Sequence, residues 1–575
     1  MSIKEELLQF INEGDLANAY NVIAHNLREE VPNLQNDPQY CVLAATAFME
    51  KGDLPRAFDI ITLGLLTDNR NYELYLMLGE YYAGKNIDQA LLCFYQSLLY
   101  CEDEEDRGVI QSYIENVVAQ GASIRQVSVV IVTRNQSELL KSCLEGIVET
   151  LSPGMYEIVV VDDASDDGTS DWLSEIEGIT YCVNDEPIGY TASVNIGIKL
   201  SNPFNDVLLL DADAILVDNS LFYMMLGLYR DEKAGIVGCL TNAFITEQKM
   251  TINAYNTEQA KAMAVNINCP MENACEDAVY VSDFAMLIGR RALDRAGMFD
   301  ERFSPQQYED KDFCVRVHKS GLTVALCFNS YVFKCMDRNK VYDTFEDNEN
   351  NRQLFISKWG CNIDYSNAAR DGIIEMMEAD KGKPIEVLEL GCYMGSTLSR
   401  IKRLWPDAYV HGVEYVGPVA DIGATINDII RGDVETMDIP YRSGQFDYII
   451  CADVLEHLRD PEEALRRFIP YLKPGGQFII SLPNIRHYGV IEMLALFGRF
   501  DYSDSGILDR THLKFFTRDT AIEMIERSGL KVEEVRRNYN GDSGDNAFIT
   551  ALSQAFKVSD PEELKVFQYY FRARI

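Results

Sequence analysis

The stretch Asp206-Val207-Leu208-Leu209-Leu210-Asp211-Ala212-Asp213 is a short apolar run that ends in two carboxylates one residue apart. Four consecutive apolar residues read as a strand buried on both faces, as inside a parallel sheet. Carboxylates at the carboxyl end of such a strand lie where open α/β sheets bind ligands. Two hard oxygen donors there suit Mg²⁺ or Mn²⁺ holding a diphosphate. Taken alone, the stretch equally allows a polar strand-to-loop turn, since Asp is a common turn residue.

Its neighbours add weight. Val127 to Val132 is a buried strand ending in Thr133-Arg134-Asn135. Glu157 to Val161 is a second, ending in Asp162-Asp163 and the turn Ala164 to Thr169. Asn184 to Gly197 leads into a helix, and the opening strand follows. Three successive strands therefore end in Asp or Asn at one edge of the expected sheet, which points to a site. Further on, Glu309-Asp310 opens a helix, and acidic residues favour a first helical turn whatever else they do.

The whole chain bounds the reading. At 575 residues it exceeds one core, and length suggests about three to five domains. The formal charge of −38 argues against nucleic acid and against unaided binding to anionic lipid. An anionic cosubstrate can still bind where a divalent cation or a helix N-terminus meets it. The 14 cysteines are scattered without paired spacing, the pattern of buried, reduced thiols in a cytosolic protein. The first residues carry no apolar signal region, and no run of about 18 apolar residues occurs, so a cytoplasmic location without a membrane span is expected, with peripheral association still open.

Residues 1–120 show helical periodicity. Gly14-Asp15-Leu16 with Ala19, Gly52-Asp53-Leu54 with Ala57, and Gly84 to Ile87 with Ala90 resemble one another. Their glycines lie 38 and 32 residues apart, near the helix-turn-helix period of about 34. Leu78-Gly79 with Tyr82, then Ala90 and Phe94, resembles the tetratricopeptide pattern, which implies an all-α repeat domain that binds a protein partner or packs on a neighbour. Gly121-Ala122-Ser123 reads as a linker, and strands alternating with helices begin after it. Past Trp359-Gly360, Asn367 to Ala379 reads as an amphipathic helix, and a second α/β domain opens with the strand Ile385 to Leu390 and Gly391-Cys392-Tyr393-Met394-Gly395. Tyr393 and Ser396 stand where a dinucleotide fingerprint needs glycine, which disfavours NAD. The strand Val410 to Val413 ends in Glu414, about 20 residues past the glycines, suited to a ribose diol.

Thr133-x-Asn135, the Val161 to Thr169 motif, Gly189 with Asn195 and Gly197, Asp211-x-Asp213, Gly297 to Glu301 and Glu309-Asp310-x-Asp312-Phe313 together resemble family 2 glycosyltransferases of the GT-A fold over residues 126–360. The resemblance implies a UDP-, GDP- or dTDP-sugar donor. It implies that Asp213 and Asp211 meet a divalent cation, with Asp211 also by the ribose. Thr133, Asn135, Asp162, Asp163 and Asn195 fall in its nucleotide-binding loops, with Asp162 or Asp163 reading the base. Asp310 becomes the general base and Glu309 shapes its surroundings, so transfer inverts the anomeric centre. Two departures stand out. Relatives often carry a further His ligand where Ser330 to Met336 stands here, with Phe333 and Lys334, and Val194 replaces an Arg that often precedes the Asn.

From about residue 370 to 540, Glu389-x-Gly391-x-x-x-Gly395 and its sequels resemble class I methyltransferases, a Rossmann-like fold within an expected domain of residues 366–575. That resemblance implies S-adenosylmethionine held by Glu389, Gly391, Gly395, Glu414, Asp433 near the adenine amine, and Asp453. His457, His487 and His512 fall in the expected active-site loops, and His487 or His512 is favoured as methyl-transfer base. The reading is thus a multidomain, bifunctional enzyme that transfers a sugar and O-methylates a glycan, in surface-glycan, S-layer or flagellin glycosylation. Alternatives are a scaffold with one degenerate catalytic domain, or a methyltransferase with an unrelated substrate.

Overall fold

A computed structural model describes residues 2–575 except 153, 244–247, 251–253, 336–344, 365 and 542–546. The chain divides into two compact units, residues 1–362 and 363–575.

The first unit opens with seven helices: α1 (Ile3–Asn12), α2 (Leu16–Leu34), α3 (Pro38–Glu50), α4 (Leu54–Thr67), α5 (Tyr72–Ala83), α6 (Ile87–Tyr100) and α7 (Glu104–Ala119). The Gly-Asp-Leu stretches fall at the turns that pair α1 with α2 and α3 with α4, and Gly84 falls between α5 and α6. Asp15 and Asn86 then cap the second helix of their pairs, accepting from the backbone N–H of Asn18 and of Asp88 and Gln89. A Cβ at Gly79 would stand 2.2 Å from the Phe94 ring, so α5 and α6 approach closely only because this position is glycine.

These helices share a core with the sheet that follows. Tyr75 packs edge-on against Phe222, and Gln96 donates to Asn219 at 2.7 Å. The expected linker is not free: Ala122 is buried with Ile110 and Ile114, and the Ser123 N–H donates to Asp88 at 2.8 Å. An apolar side chain beside a neighbouring helix packs rather than extends, whatever the Gly and Ser around it.

The sheet comprises β1 (Val127–Thr133), β2 (Tyr156–Asp162), β3 (Ile179–Val183), β4 (Asp206–Leu210), β5 (Ala214–Leu216), β6 (Ala234–Leu240), β7 (Cys275–Asp277), β8 (Ala285–Ile288) and β9 (Thr323–Lys334). Its order is β3-β2-β1-β4-β8-β6-β9-β5, with β7 on β9. Strands β3, β2, β1 and β4 are parallel, so their acidic ends meet at one edge. All five residues of β4 are buried, as the apolar run predicts.

The second unit carries β10 (Glu386–Leu390), β11 (Tyr409–Glu414), β12 (Asp428–Arg431), β13 (Phe446–Ala452), β14 (Leu472–Pro483), β15 (Lys531–Asn538) and β16 (Gln568–Arg574), in the order β12-β11-β10-β13-β14-β16-β15. Only β16 runs antiparallel to its neighbours. The amphipathic helix expected over 367–379 shrinks to one turn, Asp371–Ile374. Ile373, Ile374, Met376 and Met377 are nevertheless buried, and the Tyr570 ring closes over Gly372. Tertiary packing satisfies these side chains without a continued helix, and Gly372 adds no helical preference. All 14 cysteines are free thiols. Among the described residues no helix is long and apolar enough to cross a membrane.

Because Phe94 is fully buried against α5, Phe94→Ala is expected to destabilise the first unit by about 3–5 kcal/mol. The urea midpoint of that unit's unfolding transition measures it.

Candidate functional sites at two sheet edges

In the first unit a cleft of about 620 Å³ opens at the carboxyl ends of β1, β2 and β4. Thr133, Asp163, Asp211, Asp213, Glu309 and Asp310 line it, together with Arg134, Asp283 and Lys334. The backbone brings Lys334 there. In the antiparallel pairing of β5 with β9, Ala214 faces Lys334, so the lysine emerges beside Asp213. Its ammonium contacts Asp211 and lies 2.9 Å from Asp213 Oδ1. Burial pulls the Lys334 pKa down, but Asp211 and Asp213 outweigh it and hold it above the ordinary lysine value.

Phe333 and Lys334 occupy the region where the sequence leaves the third metal ligand open, and Met336 lies outside the described residues. The donor set still fits a divalent cation. Among the described residues, six carboxyl groups line the cleft against Arg134 and Lys334, a balance that favours a further cation beside a diphosphate. Two adjacent hard oxygen donors are the chemistry that such a cation takes.

Asp310 follows Glu309 at the start of the helix Glu309–Lys319. Its carboxylate accepts from the Lys311 N–H at 2.7 Å, and burial raises its pKa against the opposing charge of Lys311. Glu309 is buried beside it. Asp312, two residues on, is fully buried and ties this helix to the helix Phe345–Trp359 through Lys358 and the Trp359 indole N–H. Asp283 was not singled out from sequence. Burial and the charges of Asp310 and Asp211 push its carboxyl well up.

The other expected nucleotide residues separate into two groups. Thr133 lines the cleft, and among the described residues its buried hydroxyl has no hydrogen-bond partner. Asp163 lines it too, while accepting from Asn184, Ser193 and the backbone N–H groups of Ile188 and Gly189. Gly189 must be glycine, at φ +92° with Pro305 Cα 2.7 Å from where a Cβ would stand. Asp162 is fully buried and turned to Ser165. Asn135 holds the same loop through Ser165 and Asp166. Asn195 binds Phe299 and Glu301. These last three residues bond to the protein's own loops and lie outside the cleft lining, although among the described residues Asp162 Oδ2 has no hydrogen-bond partner.

In the second unit Glu389, Glu414 and Asp453 gather at the carboxyl ends of β10, β11 and β13. Burial pushes the Glu389 carboxyl up to about 8, and among the described residues its Oε2 has no hydrogen-bond partner. A buried acceptor left open there fits an ammonium-bearing ligand. Glu414 accepts from the backbone N–H groups of Tyr393 and Val416. Tyr393, between Gly391 and Gly395, takes the left-handed conformation at φ +51°. Asp433 accepts from Glu435 N–H and Thr436 Oγ1. Asp453 is held by Ser481, Gln568 and Arg370. His487 caps the helix Tyr488–Phe497, accepting from the Gly489 N–H, whereas His512 lies beside Glu456 and His457.

Comparison with known proteins agrees with this division. Residues 128–278 match the model of glycosyl transferase family 2, and residues 362–535 match that of a methyltransferase domain. The chain therefore carries a family 2 glycosyltransferase domain and a methyltransferase domain. It is 28% identical over 130 residues to the ubiquinone biosynthesis O-methyltransferase of Marinobacter nauticus, covering 22% of this chain and 50% of that protein. The chain spans about half or less of the length of the curated relatives it matches first. Among solved structures, GalNAc-T7 with UDP, GalNAc and Mn²⁺ aligns at 16% identity over 45% of this chain and 53% of that one, with a TM-score of 0.34. An S-adenosylmethionine-dependent methyltransferase from Mesorhizobium loti aligns at 18% identity over 36% and 96%, with a TM-score of 0.25.

Two measurements test the electrostatics. Lys334→Met removes the cation that competes for Asp211 and Asp213, so Mn²⁺ should bind the first unit about tenfold tighter or more, read as a larger Mn²⁺-dependent rise in that unit's melting temperature. The raised Glu389 pKa means that the folded state holds a proton the unfolded state has lost. Stability of the second unit should therefore fall as pH rises from about 4.5 to about 8. Glu389→Gln should flatten that fall in unfolding measured across the same range.

Proposed function

We propose that the chain is a bifunctional glycan-modifying enzyme. The first unit moves a sugar, with inversion, from a UDP-, GDP- or dTDP-sugar to a hydroxyl of a glycan or protein. The second O-methylates a sugar from S-adenosylmethionine, in surface-glycan, S-layer or flagellin glycosylation. The observation that carries the first half is that one cleft holds a carboxyl of raised pKa, Asp310, with the Asp211–Asp213 pair.

In this reading the acceptor hydroxyl gives its proton to the Asp310 carboxylate as its oxygen bonds to the anomeric carbon. The bond from that carbon to the donor's phosphate oxygen breaks, and the electron pair leaves with the diphosphate. Asp211 and Asp213 would hold a divalent cation, which when bound neutralises the charge developing there. Glu309, buried beside Asp310, keeps the base in a low-dielectric setting. The open Thr133 hydroxyl is available to the nucleotide, and Asp163 keeps the loop over residues 184–189 closed on the site.

The second half rests on the donor-binding edge of the second unit. Glu389, Gly391, Glu414 and Asp433 would hold S-adenosylmethionine, which when bound supplies a methyl group on a sulfonium. The open Oε2 of Glu389 accepts from the donor's ammonium, and the Tyr393 N–H keeps Glu414 oriented at the strand end. The seven helices would then recruit a protein acceptor or partner enzyme through faces that the shared core leaves free.

Asp310→Asn should lower sugar transfer by about 10²–10⁴-fold while leaving methyl transfer unchanged. Wild-type transfer should rise with pH through the raised Asp310 pKa, because only the ionised carboxyl accepts a proton. Incubation with nucleotide sugars, Mn²⁺ and S-adenosylmethionine, followed by mass spectrometry of the acceptor, checks both. Undiminished sugar transfer by the variant would remove Asp310 from the base role.

A further inference from the structure

The turn Leu455–His457, just past β13, and the loop over residues 507–514 meet in the second unit. The carbonyl of Glu456 accepts from the backbone N–H groups of Leu513 and Lys514, at 2.8 and 3.0 Å, which ties the two segments together. Between them, donor atoms of Glu456, His457 and His512 lie within 4.8 Å of one another. The Glu456 side chain is 1% exposed, and among the described residues neither of its carboxyl oxygens has a hydrogen-bond partner. Buried polar groups are ordinarily satisfied, so a wholly unpartnered carboxyl aimed at two imidazoles calls for a ligand.

The imidazoles are oriented as ligands. His512 Nδ1 lies 3.0 Å from the Ile507 carbonyl oxygen, which makes Nδ1 the protonated nitrogen and leaves Nε2 a lone pair facing Glu456 Oε1 at 4.0 Å. A ring N–H donated to a backbone carbonyl is the usual support of a metal-bound histidine. The His457 Nδ1 contacts Thr511, whose hydroxyl is held by Asp509 at 2.6 Å.

We propose that Glu456, His457 and His512 bind a divalent transition-metal cation. Two imidazoles with one carboxylate suit Mn²⁺, Fe²⁺, Co²⁺ or Zn²⁺, whereas Ca²⁺ and Mg²⁺ take sites built of oxygen. Three protein ligands leave coordination positions open. The cluster follows β13 at the edge where Glu389, Glu414 and Asp453 gather. On the methyl-transfer reading above, on which this clause rests, an open position takes an oxygen of the methyl acceptor.

The test uses the full chain carrying Asp211→Asn and Asp213→Asn, so that the first unit's carboxylate pair cannot contribute. After chelator treatment it is titrated with Co²⁺, followed by calorimetry and by the visible absorption of the cobalt. One Co²⁺ per chain is expected, with the spectrum of an imidazole-ligated ion. Glu456→Gln and His512→Asn, each still binding S-adenosylmethionine, should lose more affinity than the 10- to 100-fold that a second-shell change costs. Where either fails to fold, His457→Gln, at a partly exposed ring, carries the same comparison. No uptake by the stripped chain, or uptake undiminished in the folded variants, overturns the site. Because cation uptake is read without methyl transfer, failure of the methyl-transfer reading would leave this result standing, and the reverse also holds.

Discussion

The ammonium of Lys334 held between Asp211 and Asp213 is the interaction on which the first site depends. Parallel strands bring carboxylates to one edge because every strand of the set ends there, and the result is a cleft with six of them. Such a concentration of one sign is costly in a partly dry setting unless a counter-charge is built in. The counter-charge comes from a distant part of the chain, through the β5–β9 pairing that sets Lys334 opposite Ala214. Removing that pairing would take the Lys334 ammonium away from Asp211 and Asp213. Burial makes Asp310 and Asp283 hold their protons more tightly than ordinary carboxyls, and for Asp283 the charges of Asp310 and Asp211 add to it.

Much of this was legible in the sequence. The apolar run before Asp211 announced a buried strand, and the acidic ends of β1, β2 and β4 announced the edge. The Gly-Asp-Leu spacing announced helix pairs. What sequence could not supply was long-range. Lys334 sits 121 residues from Asp213, joined by a register that no local pattern encodes. Asp283 precedes β8, and nothing around it in the chain marks it as a neighbour of Asp310. Residue type also misled in one direction. Asn135 and Asn195 match ligand positions by motif, yet their amides close loops on the protein itself, because an Asn with backbone groups in reach satisfies them first. Asn367–Ala379 misled in another: its apolar spacing reported burial correctly, while helix needed a continuity that Gly372 and the Tyr570 contact do not support.

The second unit meets the same problem with a different solution. Its edge also gathers acids, and there Arg370 pairs with Asp453 alone among them. Glu389 responds by holding a proton up to about 8, and Glu414 by accepting from two backbone N–H groups. The second of those arrangements requires Tyr393 to point its N–H inward, and a left-handed tyrosine costs about 1–2 kcal/mol. A strain of that size persists only where surrounding structure over-determines it, and such positions cluster at binding sites. Tyr393 therefore supports a ligand-binding loop here although glycine would adopt the conformation without strain.

The two proposed donors differ in charge, and the chain's −38 acts on them in opposite directions. A nucleotide sugar is anionic, so the field of an acidic protein opposes its approach, and it binds only where local positive charge overcomes that field. Among the described residues Lys334 and Arg134 are the cations that line the first cleft, and they are outnumbered there, which favours a divalent ion beside the diphosphate in the proposed transfer. S-Adenosylmethionine carries a sulfonium and an ammonium against one carboxylate, so the same field attracts it and acids can line its site. An open Glu389 is what a cationic donor needs, whereas a bridging lysine and a carboxylate pair are what an anionic donor with a metal needs. The contrast between the two edges follows from the charge of what each is proposed to hold.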